Sequence, residues 1–138
     1  MNGAFFPDWL LHMKTTLPEP RYWTYDLGDG WQVFAGKSAE DNDLVSFRLA
    51  LPTDLWFHLN GAPGSHVLLR GPEGVKPPKA MVEAAAGIAA YHSKARNGGR
   101  CSVDCCLAAD VSKPPRAPAG MVNIRHAKSI RAVPRLPG

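Results

Sequence analysis

A chain of 138 residues fits one domain and leaves little room for a second. With 45% apolar and 20% charged residues it carries enough material for a core, so disorder is not the default, and no apolar run approaches the ~20 residues of a membrane-spanning helix. The net charge of +4 hides an asymmetry: residues 1–66 hold four Lys/Arg against eight Asp/Glu, whereas residues 67–138 hold twelve against four. A basic half of this kind suits a polyanionic partner, most often nucleic acid.

The first residues, Met1-Asn2-Gly3-Ala4-Phe5-Phe6, lack a basic leader and read as the start of a soluble, cytoplasmic protein. Phe5, Phe6, Trp9, Leu10 and Met13 are spaced for one face of a short helix, and Pro18 and Pro20 close it. Residues 1–20 are therefore expected to form a helical arm, packed on the domain or serving as a homodimer contact, and residues 21–138 the domain itself. Tyr22 to Leu27 and Trp31 to Ala35 read as a hairpin turned by Gly28-Asp29-Gly30. Gly36-Lys37-Ser38 lacks the upstream glycine of a P-loop, because position 31 is tryptophan. Instead, Ser38 is expected to cap a short helix over 39–50, with Leu44, Phe47 and Leu49 packed inward and Pro52 ending it.

Next comes the stretch with the densest polar chemistry. Leu55 to Leu59 is an apolar strand tipped by Asp54, with Trp56 and Phe57 on opposite faces, one for the core and one as a possible base-stacking platform. His58 shares the face of Trp56. A Pro63-Gly64 turn leads through Ser65 and His66 into a second strand, Val67 to Leu69, which Arg70 ends. Such a turn offers backbone N–H groups to a phosphate. The same cluster of Asp54, His58, Ser65 and His66 also suggests a metal-dependent or nucleolytic enzyme, although neither a third ligand nor a nucleophile elbow is evident.

After the connector 71–78, a helix is expected from Lys79 to Arg96. Its middle is small and apolar, Lys94 and Arg96 sit at the negative end of its dipole, and Asn97-Gly98-Gly99 stops it. Cys101 to Ala109 reads as a strand. Its three cysteines, Cys101, Cys105 and Cys106, lack the spacing of a zinc site and are expected to be free buried thiols. A basic, proline-stiffened loop carries Lys113 and Arg116, and two short runs, 121–125 and 129–133, are expected to close the chain as a hairpin. Together these elements predict an α+β fold: a mixed, largely antiparallel sheet with one main helix on a face and short peripheral helices.

Asp54-Leu55-Trp56-Phe57-His58 followed by Pro63-Gly64-Ser65-His66-Val67 resembles the signature of the NFACT-R family, the RNA-binding domain of the NFACT proteins of ribosome-associated quality control. Gly36-Lys37, Asn42-Asp43-Leu44, Ala89-Ala90-Tyr91, Ser93-Lys94-Ala95-Arg96, Lys113-Pro114 and Pro118 to Val122 extend the likeness over roughly residues 22 to 134. Cys105-Cys106 stand where the family often has Tyr-Thr, and Arg116 stands near a usual glycine. The resemblance is to a stand-alone bacterial form. It implies a non-catalytic domain without cofactor or metal, contacting tRNA or ribosomal RNA, the large ribosomal subunit included. On this reading Lys37, Asn42, Asp54, Trp56, His58, Gly64, Ser65, His66, Arg70, Lys94, Arg96, Lys113 and Arg116 form or support the RNA-binding surface. The rivals are the enzyme above and a protein–protein module built on the N-terminal arm.

Overall fold

The computed structural model describes residues 18–138. The apolar stripe expected in the N-terminal arm, and its proposed dimer contact, lie outside the described residues. Strands β1 (Tyr22–Gly28) and β2 (Trp31–Gly36) form the expected hairpin. Asp29 and Gly30 both have positive φ, 55° and 85°, the pairing that a two-residue turn between right-twisted strands requires. Helix α1 (Ala39–Leu44) starts as predicted: the Ser38 hydroxyl accepts the Asp41 N–H at 3.1 Å and donates to the Asp41 carboxylate at 2.7 Å.

The chain then widens into a π-helical turn, Val45–Leu49. This extra width alters the expected inward face, of which Leu49 alone packs against the second core layer. Val45 and Ser46 are buried, whereas Phe47 points to solvent and Leu44 and Leu49 are only partly covered.

Strands β3 (Leu55–Leu59), β4 (Val67–Arg70), β5 (Cys101–Leu107) and β8 (Lys128–Ala132) complete a six-stranded sheet in the order β1-β2-β4-β3-β5-β8. Each of its pairings is antiparallel, so the α+β class holds with a simpler sheet than the mixed one expected. Strands β6 (Val111–Ser112) and β7 (Asn123–Ile124) pair separately. The expected closing hairpin is therefore absent. β7 turns back onto β6 to cover the second face of the sheet with Val122 and Ile124, and His126, at a φ of 58°, passes the chain across to the sheet edge as β8.

Alternation along the strands sorts the core into two layers. Val33, Ala35, Phe57, Val67, Leu69, Val103 and Cys105 face helix α2 (Lys79–Tyr91). Phe34, Trp56, Leu68 and Cys106 face Val45, Ala108 and Val111 on the opposite side. The small residues of α2 let it lie close to the sheet and to the C-terminal segment: a Cβ on Gly87 would stand 3.2 Å from the Val133 carbonyl. With both faces covered, Trp56 and Phe57 are both buried, and the expectation that one is an open platform is wrong.

Candidate nucleic-acid interface

The second half of the central motif turns inward and is held by the end of β2 and by α1. Gly36 donates to the His66 carbonyl at 3.1 Å, and the Ser65 hydroxyl donates to the Gly36 carbonyl. The Asn42 side chain bridges them: its amide donates to the Gly64 carbonyl at 3.2 Å and its oxygen accepts from the His66 N–H at 3.0 Å. Only glycine fits at position 36, because a Cβ there would overlap the Asn42 oxygen. Asn42, Ser65 and His66 are all buried.

A second chain of hydrogen bonds fixes the His66 ring. Its Nε2 lies 3.2 Å from the Gly120 carbonyl, which only accepts, so this nitrogen carries the proton. Nδ1 then accepts from the Ser46 hydroxyl at 2.7 Å, and that oxygen accepts the Trp56 indole N–H at 2.9 Å. Burial, reinforced by nearby His58, pushes the His66 pKa down to about 4, so the ring is neutral at neutral pH. His58 is half-buried, 5.3 Å ring to ring from His66, and burial lowers its pKa while Asp104 opposes the shift. Ser65 and His66 thus point to separate partners, so they do not form the nucleophile and base that the enzyme reading needs. Among the described residues, no three His, Cys, Asp or Glu side chains are placed to hold a metal ion.

Three of the expected phosphate ligands are also occupied or displaced. Arg70 grips buried Asp54 through both Nε, at 3.0 Å, and Nη2, at 2.7 Å, and donates to the Leu49 carbonyl. Lys113 bonds Asp43 and the carbonyls of Pro118 and Met121, which folds the basic loop on itself. Arg116 is exposed at a φ of 62° on that loop, outside the cleft described next.

The cations that do converge lie around the Gly64 turn. α2 stops at Tyr91, five residues before the expected end, because the following backbone is drawn into tertiary bonds. The Ser65 N–H donates to the His92 carbonyl at 2.8 Å, and the Lys94 N–H donates to the Pro63 carbonyl at 3.1 Å. Gly64 and Ser93 form an isolated bridge that leaves no room for a side chain: a Cβ on Gly64 would come within 2.7 Å of the Ser93 Cβ. Arg96 still serves the helix end, since its Nε donates to the Tyr91 carbonyl at 2.6 Å while its guanidinium lies 4.0 Å from the centre of the Tyr91 ring.

This clamp creates a shallow cleft of about 330 Å³ lined by Trp23, Lys37, Gly64, Ser65, Lys94 and Arg96 together with Pro63, His92 and Ser93. Trp23 and His92 stack at 4.1 Å and 11°, the Tyr25 hydroxyl lies 2.6 Å from His92 Nε2, and Lys37 Nζ sits 5.1 Å from the Trp23 ring centre. Burial and the neighbouring Arg96 charge bring the His92 pKa down to about 4. Cys105 and Cys106, also buried, are raised to about 11 and about 12 and stay protonated thiols.

The family described as NFACT protein RNA binding domain matches residues 21–126. The chain belongs to this family. Two curated relatives each carry the name Rqc2 homolog RqcH. That of Streptococcus suis is 35% identical over 102 residues, covering 74% of this chain and 18% of the relative. That of Bacillus subtilis is 33% identical over 111 residues, covering 80% and 19%. The chain thus spans just under a fifth of these relatives. Among solved structures, the C-terminal part of the fibronectin/fibrinogen-binding protein from Streptococcus suis matches with a TM-score of 0.76 at 31% identity, over 87% of this chain and 47% of that one.

Within this NFACT RNA-binding domain, Lys37, Gly64, Ser65, Lys94 and Arg96 meet in the cleft. Asn42, Trp56 and His66 belong to the hydrogen-bonded network behind it, Asp54 and Arg70 pair with one another at the far end of β3 and β4, and His58, Lys113 and Arg116 stand apart from it. Sequence reasoning missed Trp23, Tyr25 and His92. The signal for the first two was present: positions 23 and 25 share one face of an edge strand with Ala35 and Val33 opposite. Nothing local in the sequence marks His92 as their partner.

Proposed function

We propose that this domain binds RNA of the translation machinery, tRNA or ribosomal RNA, through the cleft between β1, the Pro63–Ser65 turn and the segment after α2. The observation that carries this reading is the convergence of Lys37, Lys94 and Arg96 on one solvent-open cleft, in a member of an RNA-binding domain family. Membership of a family that occurs in NFACT proteins supports a place in ribosome-associated quality control, with the large ribosomal subunit as the larger partner. Phosphate contacts from three cations supply affinity without sequence choice. The buried motif acts one step back, holding the glycine turn against Ser93 so that the cleft keeps its shape.

Titration with tRNA and with a ribosomal RNA hairpin, at low and moderate salt, tests the reading. Three phosphate contacts give a log–log salt slope of roughly −2 to −3. Reversing charge with Lys37→Glu and Lys94→Glu should weaken binding to both RNAs and flatten the slope by about two contacts. Absence of binding at low salt, or the same affinity after both reversals, refutes it.

A further inference from the structure

We propose that the indole of Trp23, backed by His92, is a stacking platform for one unpaired base, so that the cleft takes single-stranded RNA in preference to duplex. This rests on the RNA-binding reading above and adds the kind of RNA and the residue that selects it.

Trp31 and Trp56 are buried in the two core layers, whereas Trp23 is 38% exposed on β1, which among the described residues is an outermost strand of the sheet. Large aromatics left open inside a basic cleft are where bases stack. The ring is also held still from behind. His92 lies parallel against it and is fixed at three points: its ring by the Tyr25 hydroxyl, its N–H by the Ile88 carbonyl at 3.0 Å, and its carbonyl by the Ser65 N–H. A platform already ordered loses little freedom when a base lands on it.

His92 stacks on the ring and the Lys37 ammonium also lies over it, 5.1 Å from its centre, which puts the indole within reach of an electrostatic partner. Lys37 is exposed, so an arriving base displaces it from the ring, and the phosphate of the same nucleotide receives its charge. Lys94 and Arg96 line the same cleft and meet the flanking phosphates. In a duplex each base face is already stacked within the helix, so only an unpaired base can use the indole.

The test is titration of the whole chain with a short labelled RNA strand, alone and annealed to its complement, for the wild type, Trp23→Ala, Trp23→Phe and the double variant Lys37→Glu/Lys94→Glu. The expected result is tighter binding of the single strand, a loss of about 5- to 100-fold with Trp23→Ala on the single strand only, and near-wild-type affinity with Trp23→Phe. The salt slope of Trp23→Ala should match the wild type, because no charge is lost. If Trp23→Ala leaves single-strand affinity unchanged while the charge reversals weaken it, the platform is overturned and the phosphate-binding cleft stands. If neither RNA form binds, or the charge reversals have no effect, both readings fall.

Discussion

Replacing Asp54 with asparagine separates the role of this residue in the fold from any role in RNA contact. The carboxylate is 2% exposed and accepts two arms of the Arg70 guanidinium as well as the Leu51 N–H at 2.9 Å. Asparagine preserves the volume but removes the charge and turns an N–H₂ group toward the guanidinium. Stripping one partner from a buried ion pair costs about 3–5 kcal/mol. Arg70 is 26% exposed and keeps its bond to the Leu49 carbonyl, so water compensates part of this and the expected cost is about 2–3 kcal/mol. For a domain of this size that lowers Tm by roughly 10 °C. Urea unfolding followed by tryptophan fluorescence, with Trp31 and Trp56 buried as reporters, gives the free energy directly. Removing Arg70 as well, as Asp54→Asn/Arg70→Met, should recover part of the loss in a double-mutant cycle. RNA affinity, measured at a temperature where the variant is folded, should stay within about twofold of wild type. A loss below about 0.5 kcal/mol would refute the buried-pair account. A native stability with lost RNA affinity would restore Asp54 to the interface.

Two further outcomes follow from the same network. His66 is neutral in the folded state with a pKa near 4, against 6.5 when unfolded, so the unfolded chain binds the extra proton as pH falls. The contribution of His66 to stability should be full above about pH 6.5, decline by about 2 kcal/mol by pH 5, and continue to fall toward pH 4. His66→Gln should remove about half of the slope in urea unfolding at pH 7.5 and pH 5, because His92 is depressed to the same value and carries a comparable share; an unchanged slope would show that His66 does not couple folding to protons. Lys113→Met should raise hydrogen exchange across residues 113–121, because four acceptor contacts to Asp43, Pro118 and Met121 are lost, while the salt slope of RNA binding stays at the wild-type value. A flatter slope would return the basic loop to the interface.

The sequence by itself determined the class of fold, the first hairpin, the Ser38 cap, the central β3–β4 pair and the family, because these depend on local rules. Turn residues at fixed offsets, period-two apolar strands and a capping serine act within a few residues of one another, and the Asp54–His58 and Pro63–Val67 stretches are contiguous. Tertiary structure alone decided which charged and aromatic groups face water. Arg70 and Lys113 look like free cations in the sequence, yet Asp54, Asp43 and several carbonyls, up to tens of residues away, take their donors. Trp56 reads as a possible platform until the β6–β7 layer covers the second face of the sheet. Trp23 becomes one because β1 lies at the sheet edge and the backbone after α2 bonds to the Gly64 turn instead of continuing as helix, carrying His92 beneath the indole. Residues 23 and 92 meet only when the sheet, the turn and the helix end assemble together. Pattern along the chain reports what each segment prefers, and the competition for buried hydrogen-bond partners settles which of its side chains remain to meet a ligand.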